Sequence, residues 1–176
     1  MGVDKAALIV DGEPLARRAT RVLGSVCGLV LVASGDGHRL AWLGLPEVAD
    51  VHPGAGPLAG LIAGLEAIAT PLVAVVAVDM PDASGAVLRL LAERAPGHDA
   101  AVPRTERGLE PLHAVYARAA APALRAAFED GERSVTSALE RIDVVVVGPG
   151  DWASADPSGR FARNLNRPED LDQSSA

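Results

Sequence analysis

Aromatic residues make up only 3% of this 176-residue chain, and cysteine occurs once, at position 27. A single thiol forms no intrachain disulfide, so packing must hold the fold, as is usual in a reducing cytosol. Cys27 has apolar neighbours, which reads as a plain buried thiol rather than a nucleophile. With so few rings, the core must be built from aliphatic layers. No apolar run reaches the roughly 18 residues a membrane span needs, and no signal-peptide pattern opens the sequence. Basic residues are outnumbered 16 to 23, for a net charge of −7. A nucleic-acid backbone calls for clustered Lys and Arg, so that class of partner is excluded. An anionic small molecule is not, because its site needs only a few cations and backbone N–H groups. The expectation is a cytoplasmic protein with no membrane and no nucleic-acid partner.

What is present fits that frame. Hydrophobic residues reach 49% and charged ones 22%, the balance of an ordered globule. The length suits one domain, residues 1–176, with a single sizeable core. Short apolar runs alternate with longer helical patterns. Leu8-Ile9-Val10 precedes the turn pair Asp11-Gly12, and Pro14 opens a helix to about Val26. Leu29 to Val32 predicts a strand ending in the polar turn cluster Ser34-Gly35-Asp36-Gly37, and a short strand follows near Val48 to Val51. Residues 57–69 read as a helix. The unbroken run Leu72 to Val78, bounded by Pro71 and Pro81, predicts a strand buried on both faces. Residues 84–95 read as a helix capped by Asp82 or Ser84. Asp99 to Val102 and Leu112 to Tyr116 can pair around the polar stretch 104–108. Helices are expected over 117–129 and 134–142, then a strand at Val144 to Val147, a loop over 150–159 and a helix start at Pro168. Alternation of this kind predicts an α/β three-layer fold with a mainly parallel sheet.

Such sheets take their ligands at the carboxyl ends of their strands. Asp79 sits at that end of the most apolar run, where Met80-Pro81 turns the chain out of the sheet. One carboxylate there suits a Mg²⁺ carried on substrate phosphates, since that ion keeps its other positions for water and phosphate. Its alternative role, as a helix cap, falls more naturally to Asp82 or Ser84. In Asp50-Val51-His52-Pro53-Gly54-Ala55-Gly56-Pro57-Leu58-Ala59-Gly60, a strand end runs into a helix. Gly54 and Gly56 permit close backbone approach, and a helix starting at Pro57 directs free N–H groups at a ligand. An ordinary strand-to-helix turn has the same composition. Asn164 and Asn166, two apart, point to one side of an extended segment; they read as ligands or as turn and cap residues.

The ordered segments Met1-Gly2-Val3-Asp4-Lys5, Gly56-Pro57-Leu58-Ala59-Gly60, Val78-Asp79-Met80-Pro81, Glu110 to Tyr116 and Asn164 to Asp170 together resemble the MobA-type molybdenum-cofactor guanylyltransferases over nearly the whole chain. The resemblance implies a Rossmann-like nucleotidyltransferase fold and transfer of GMP from Mg-GTP to molybdopterin, with release of pyrophosphate. By that analogy Lys5 holds the nucleotide phosphates and Asp79 binds Mg²⁺ with Asn166. Asp50, Gly54, Gly56, Pro57 and Leu58 serve the nucleotide. Asn164, Arg133 and Ser134, with the 110–112 segment, face the molybdopterin, and proteins of molybdoenzyme maturation are implied as partners. The proline at 57 and the paired asparagines favour GTP over CTP. Another acceptor (a phospholactate or a sugar phosphate) and a non-catalytic nucleotide-binding relative stay open.

Members of that family carry a buried strand and a G-G-x-S-x-R turn ahead of M-G-x-D-K, neither of which is in this sequence. Their omission predicts a slot between two apolar strands and exposed strand edges. In-frame codons upstream of Met1 encoding an apolar run and that turn are the expected finding on reading the gene; a stop codon directly upstream contradicts it.

Overall fold

The computed structural model describes residues 5–50 and 52–165. A small hairpin, β1 (Ile9–Val10) and β2 (Glu13–Pro14), turns through Asp11 and Gly12, both at positive φ, and leads into α1 (Leu15–Gly24). Next come β3 (Val32–Ala33) and β4 (Glu47–Val48), paired in parallel, then α2 (Pro57–Ala67), β5 (Leu72–Val76) and α3 (Gly85–Arg94). A hairpin of β6 (Ala100–Thr105) and β7 (Gly108–Leu109) is followed by β8 (His113–Ala117), α4 (Ala121–Glu129) and α5 (Val135–Ala138). The elements end with β9 (Val144–Val147) and the single turn α6 (Pro149–Trp152).

The main sheet runs β5, β8, β6, β9 across its width. β5, β6 and β9 point the same way, and β8 lies reversed between β5 and β6. Strand alternation then sorts side chains to two faces. Ala100, Val102, Ala114 and Tyr116 pack on one face under α2, α4 and α5, against Leu58, Leu65, Leu124 and Phe128. Ala101, Val115 and Val147 pack on the other under α3, against Val87, Leu88, Leu91 and Phe161. The result is three layers built from aliphatic residues, with Tyr116 and Phe161 as the largest fully buried side chains.

Several boundaries differ from the sequence reading. The 29–32 run is mostly irregular, with strand geometry only at Val32–Ala33, and Leu29 is exposed. β5 stops at Val76, and of its five residues only Val73 is buried. Both departures have one cause. β5 is paired along a single edge, since the Arg118 N–H bond to Pro71 and the Ala77 N–H bond to Leu112 frame its ladder with β8. By alternation the backbone groups of Leu72, Ala74 and Val76 point away from β8. There, between β5 and the 29–33 segment, lies a cavity of about 760 Å³, bounded by Ala16, Ala19 and Leu23 of α1 and Gly60, Leu61 and Gly64 of α2. The 150–159 segment is also less irregular than expected, because α6 seats Trp152 against Phe161 and its indole N–H bonds the Arg104 carbonyl. The expected helix at Pro168 lies outside the described residues. No helix among the described residues is long and apolar enough to cross a membrane.

His113 ties the sheet to α3. Its Nε2 accepts the backbone N–H of Ser84 at 3.0 Å, while Ser84 caps α3 by accepting from Val87. The ring is fully buried, and desolvation lowers its pKa from 6.5 to about 4. The unfolded chain therefore takes up a proton between those values and the folded chain does not. Stability is complete above pH 6.5 and falls by roughly 3 kcal/mol as the pH drops towards 4. Thermal unfolding across that range should show a steeper acid loss in the wild type than in His113→Gln; equal slopes would assign the loss to other groups.

Candidate active site

The carboxyl ends of β5, β3 and β4 meet the amino end of α2 around the cavity. Ala77 makes the last rung with β8, and the chain turns at Val78-Asp79 before Met80, which is buried. Lys5, at the start of a 3-10 turn (Lys5–Ala7), places Nζ 3.3 Å from Asp79 Oδ2. Both side chains are partly exposed, 41% and 24%, so the pair adds at most about 1 kcal/mol to stability. Its consequence is positional: a cation and a carboxylate are held together at a strand end. The Asp79 carbonyl accepts the Leu165 N–H at 2.9 Å, which sets Asn164 beside this pair. Asp82 does not cap α3, because its carboxylate takes Arg163 at 2.8 Å and Arg160 at 3.4 Å and pins the same segment.

At the other end of the cavity, Gly54 and Gly56 have φ of 80° and 95°. These are left-handed conformations that favour glycine. Pro57 occupies the first turn of α2 with no N–H to lose, and no side chain caps the helix. Since Pro57 has no N–H and that of Ala59 bonds the Gly56 carbonyl at 3.2 Å, the Leu58 N–H is the donor that this 11-residue helix offers at its start. Leu58 is fully buried in the core, so only its backbone N–H is available to a ligand. Asp50 stands beside this turn, with its amide bonded to the Gly35 carbonyl at 3.0 Å and its Oδ1 buried without a partner. Burial pushes the Asp50 carboxyl above its ordinary value, against the opposing pull of the Gly35 N–H and the Arg39 charge.

The structure thus brings Lys5 against Asp79, with the backbone next to Asn164 bonded to the Asp79 carbonyl, and groups Asp50, Gly54, Gly56 and Pro57 on a common cavity wall. Arg133 and Ser134 are more occupied than the sequence suggests. The Arg133 guanidinium lies 4.0 Å over the Phe128 ring and donates to the Phe128 and Glu132 carbonyls, and Ser134 caps α5. They sit near Gly56, where an added Cβ would lie 3.8 Å from the Arg133 carbonyl oxygen. Glu110 is buried and accepts from Thr105 at 3.0 Å, so it supports the β6–β7 hairpin. Asn166 lies outside the described residues. No cluster of three or more His, Cys, Asp or Glu side chains able to hold a metal occurs among the described residues. A lone Asp79 carboxylate fits a metal that arrives on phosphates better than one caged by protein. Sequence reasoning missed Ser34, taken there as part of a polar turn. It is buried, its Oγ has no partner, and it lines the cavity with Asp50. Its signal was position: a small polar residue at the carboxyl end of an apolar run.

Residues 1–145 match the family model of the MobA-like NTP transferase domain. A relative from Chloroflexus aggregans, named "Probable molybdenum cofactor guanylyltransferase", is 41% identical over 97% of this chain and 85% of its own length. One of the same name from Natronomonas pharaonis is 40% identical over 97% and 88%. Among solved structures, molybdopterin-guanine dinucleotide biosynthesis protein A from Archaeoglobus fulgidus superposes with a TM-score of 0.83 at 29% identity, covering 98% of this chain and 89% of that one. A 2-C-methyl-D-erythritol 4-phosphate cytidylyltransferase from Thermus thermophilus shares the fold, with a TM-score of 0.71 at 21% identity over 97% and 91%.

An acid whose pKa is raised on folding gives up stability as the pH climbs from its unfolded value through the folded one. Asp50→Asn should therefore gain on the wild type as the pH rises above 3.8, the ordinary value for this carboxyl, and melt higher at pH 7. At this chain length each kcal/mol moves the midpoint by about 2–4 °C. An equal or lower midpoint for the variant at pH 7 refutes the ionisation cost.

Proposed function

The chain belongs to the MobA-like NTP transferase family, and from that premise we propose that it transfers GMP from Mg-GTP to the terminal phosphate of molybdopterin. An acceptor phosphate oxygen attacks the α-phosphorus, the bond to the β-phosphate oxygen breaks, and pyrophosphate leaves. The observation that carries this reading is the Lys5–Asp79 pair at the carboxyl end of β5. It is supported by a glycine turn and a helix amino end on the wall of the adjoining cavity.

Each protein group has one physical task. Lys5 offers a point charge to the phosphates. The Leu58 N–H at the start of α2 and the Gly54–Gly56 backbone receive the nucleotide. Asp50 accepts from donors on the base. Asp79, with Asn166, holds the divalent ion, which when bound neutralises charge at the phosphate in flight. Asn164 stands on the acceptor side, and Arg133 and Ser134 flank it through the Gly56 turn. Positioning and charge neutralisation supply the rate, with no covalent enzyme step. Pro57 within Gly56 to Gly60, together with the paired asparagines, favours GTP over CTP. The setting is a single domain, 1–176, working in the cytoplasm beside proteins of molybdoenzyme maturation.

Calorimetric titration with GTP, CTP and ATP, with and without Mg²⁺, tests the reading. Selective, Mg²⁺-dependent binding of GTP is expected; equal binding of all three, or none by a folded sample, refutes it. Asp79→Ala should lower guanylyl-transfer turnover by roughly 10²–10³ or more, the scale of losing a stabiliser of transition-state charge. Near-normal turnover in that variant removes the metal role.

A further inference from the structure

The base end of the cavity holds two polar atoms that the fold leaves unanswered. Ser34 is 6% exposed, and its Oγ is buried with no hydrogen-bond partner. Asp50 Oδ1 is in the same condition. The two residues are neighbours by construction. β3 and β4 run parallel with Ala33 opposite Val48, the Ser34 N–H donates to the Val48 carbonyl at 3.3 Å, and the Asp50 N–H donates to the Gly35 carbonyl at 3.0 Å. Both line the cavity beside Gly35 and Gly60, and a Cβ on Gly60 would lie 3.5 Å from Asp50 Oδ1.

Buried polar groups are nearly always paired, so an orphan of this kind asks for a partner from outside the chain. The chemistry of the two orphans differs. An ionised carboxylate only accepts, whereas a serine hydroxyl both donates and accepts. Guanine offers the complementary edge, with N1–H and the N2 amino group as adjacent donors and O6 next to them as an acceptor. Adenine and cytosine put a ring acceptor and an amino donor at the corresponding places.

We infer that Ser34 is a specificity-determining residue that donates its hydroxyl hydrogen to guanine O6 while Asp50 accepts from N1–H and N2. This rests on the reading of the site as a GTP site and extends it by assigning the residue that reads the carbonyl. Asp50 alone distinguishes bases by their donors. Ser34 adds recognition of O6, which the carboxylate cannot provide.

The test uses the full chain with Mg²⁺ and three triphosphates in competition binding: GTP, ITP, which lacks the N2 amino group, and 2-aminopurine riboside triphosphate, which lacks O6 and with it the N1–H. The wild type should prefer GTP over both analogues. Ser34→Ala should weaken GTP by about tenfold, the scale of one hydrogen bond to a desolvated group, and leave the 2-aminopurine nucleotide unchanged. The preference for GTP over the 2-aminopurine nucleotide then shrinks by that tenfold, leaving the part due to the N1–H that Asp50 accepts, while the preference for GTP over ITP persists. Asp50→Asn should do the converse and erase the preference over ITP. Ser34→Thr, which keeps the hydroxyl, should restore O6 discrimination, a rescue that a packing defect would not give. An unaltered GTP to 2-aminopurine ratio in Ser34→Ala overturns the assignment with the GTP reading intact. A wild type that binds none of the three overturns that reading first, and the assignment with it.

Discussion

The pairing of β5 with β8 is the constraint on which the rest of the site depends. Five residues of each strand lie opposite one another, from Leu72 with Ala117 to Val76 with His113. The final rung, at Ala77 and Leu112, decides where the chain leaves the sheet. Two residues later Asp79 stands at the strand end with its carbonyl bonded to Leu165 and its carboxylate against Lys5. Three remote parts of the sequence are thus brought to one point by a ladder of backbone bonds. Slippage by one residue would turn His113 and Tyr116 to the wrong faces, so the buried side chains enforce the register.

Much of this was legible in the sequence, for reasons that can be named. The helices at 57–67 and 85–94 follow apolar periodicity and clear start signals, Pro57 and Ser84. The reversed strand β8 was anticipated as the partner of β6 because a polar stretch separates two apolar ones. Asp79 could be placed because an unbroken aliphatic run leads to it and a proline ends it. What sequence reading missed was tertiary. It assumed that Leu29 to Val32 would be an ordered strand and β5 buried on both faces, whereas each lacks a pairing partner on the cavity side. Burial of Leu58, the cap at Ser134 and the Arg133 stack on Phe128 are likewise invisible to periodicity. They depend on which helices meet, not on local pattern.

The buried polar groups fall into two kinds. His113 is desolvated, yet its Nε2 is answered by Ser84, and the ring fastens α3 to the sheet. Tyr116 is similar, with its hydroxyl donating to the Pro111 carbonyl at 2.8 Å. Ser34 Oγ and Asp50 Oδ1 are unanswered on the cavity wall, although the Asp50 carboxyl also takes the Gly35 N–H; His113 Nδ1 is unpaired as well, but away from that wall. The first kind belongs to architecture. The second carries an energetic burden that only a bound molecule relieves, and it is found where strand ends meet a glycine turn.

The cavity beside β5 also alters how the folded state should respond to solvent. Its walls include Leu23, Leu29, Leu31, Leu72 and Val76, apolar groups whose removal from water is incomplete in the native fold. Denaturant sensitivity and the heat-capacity increment of unfolding both scale with newly uncovered surface. A chain that keeps such a groove hydrated has less left to uncover. Its urea dependence is shallower than a fully packed domain of equal length would show, and its stability curve is flatter with temperature.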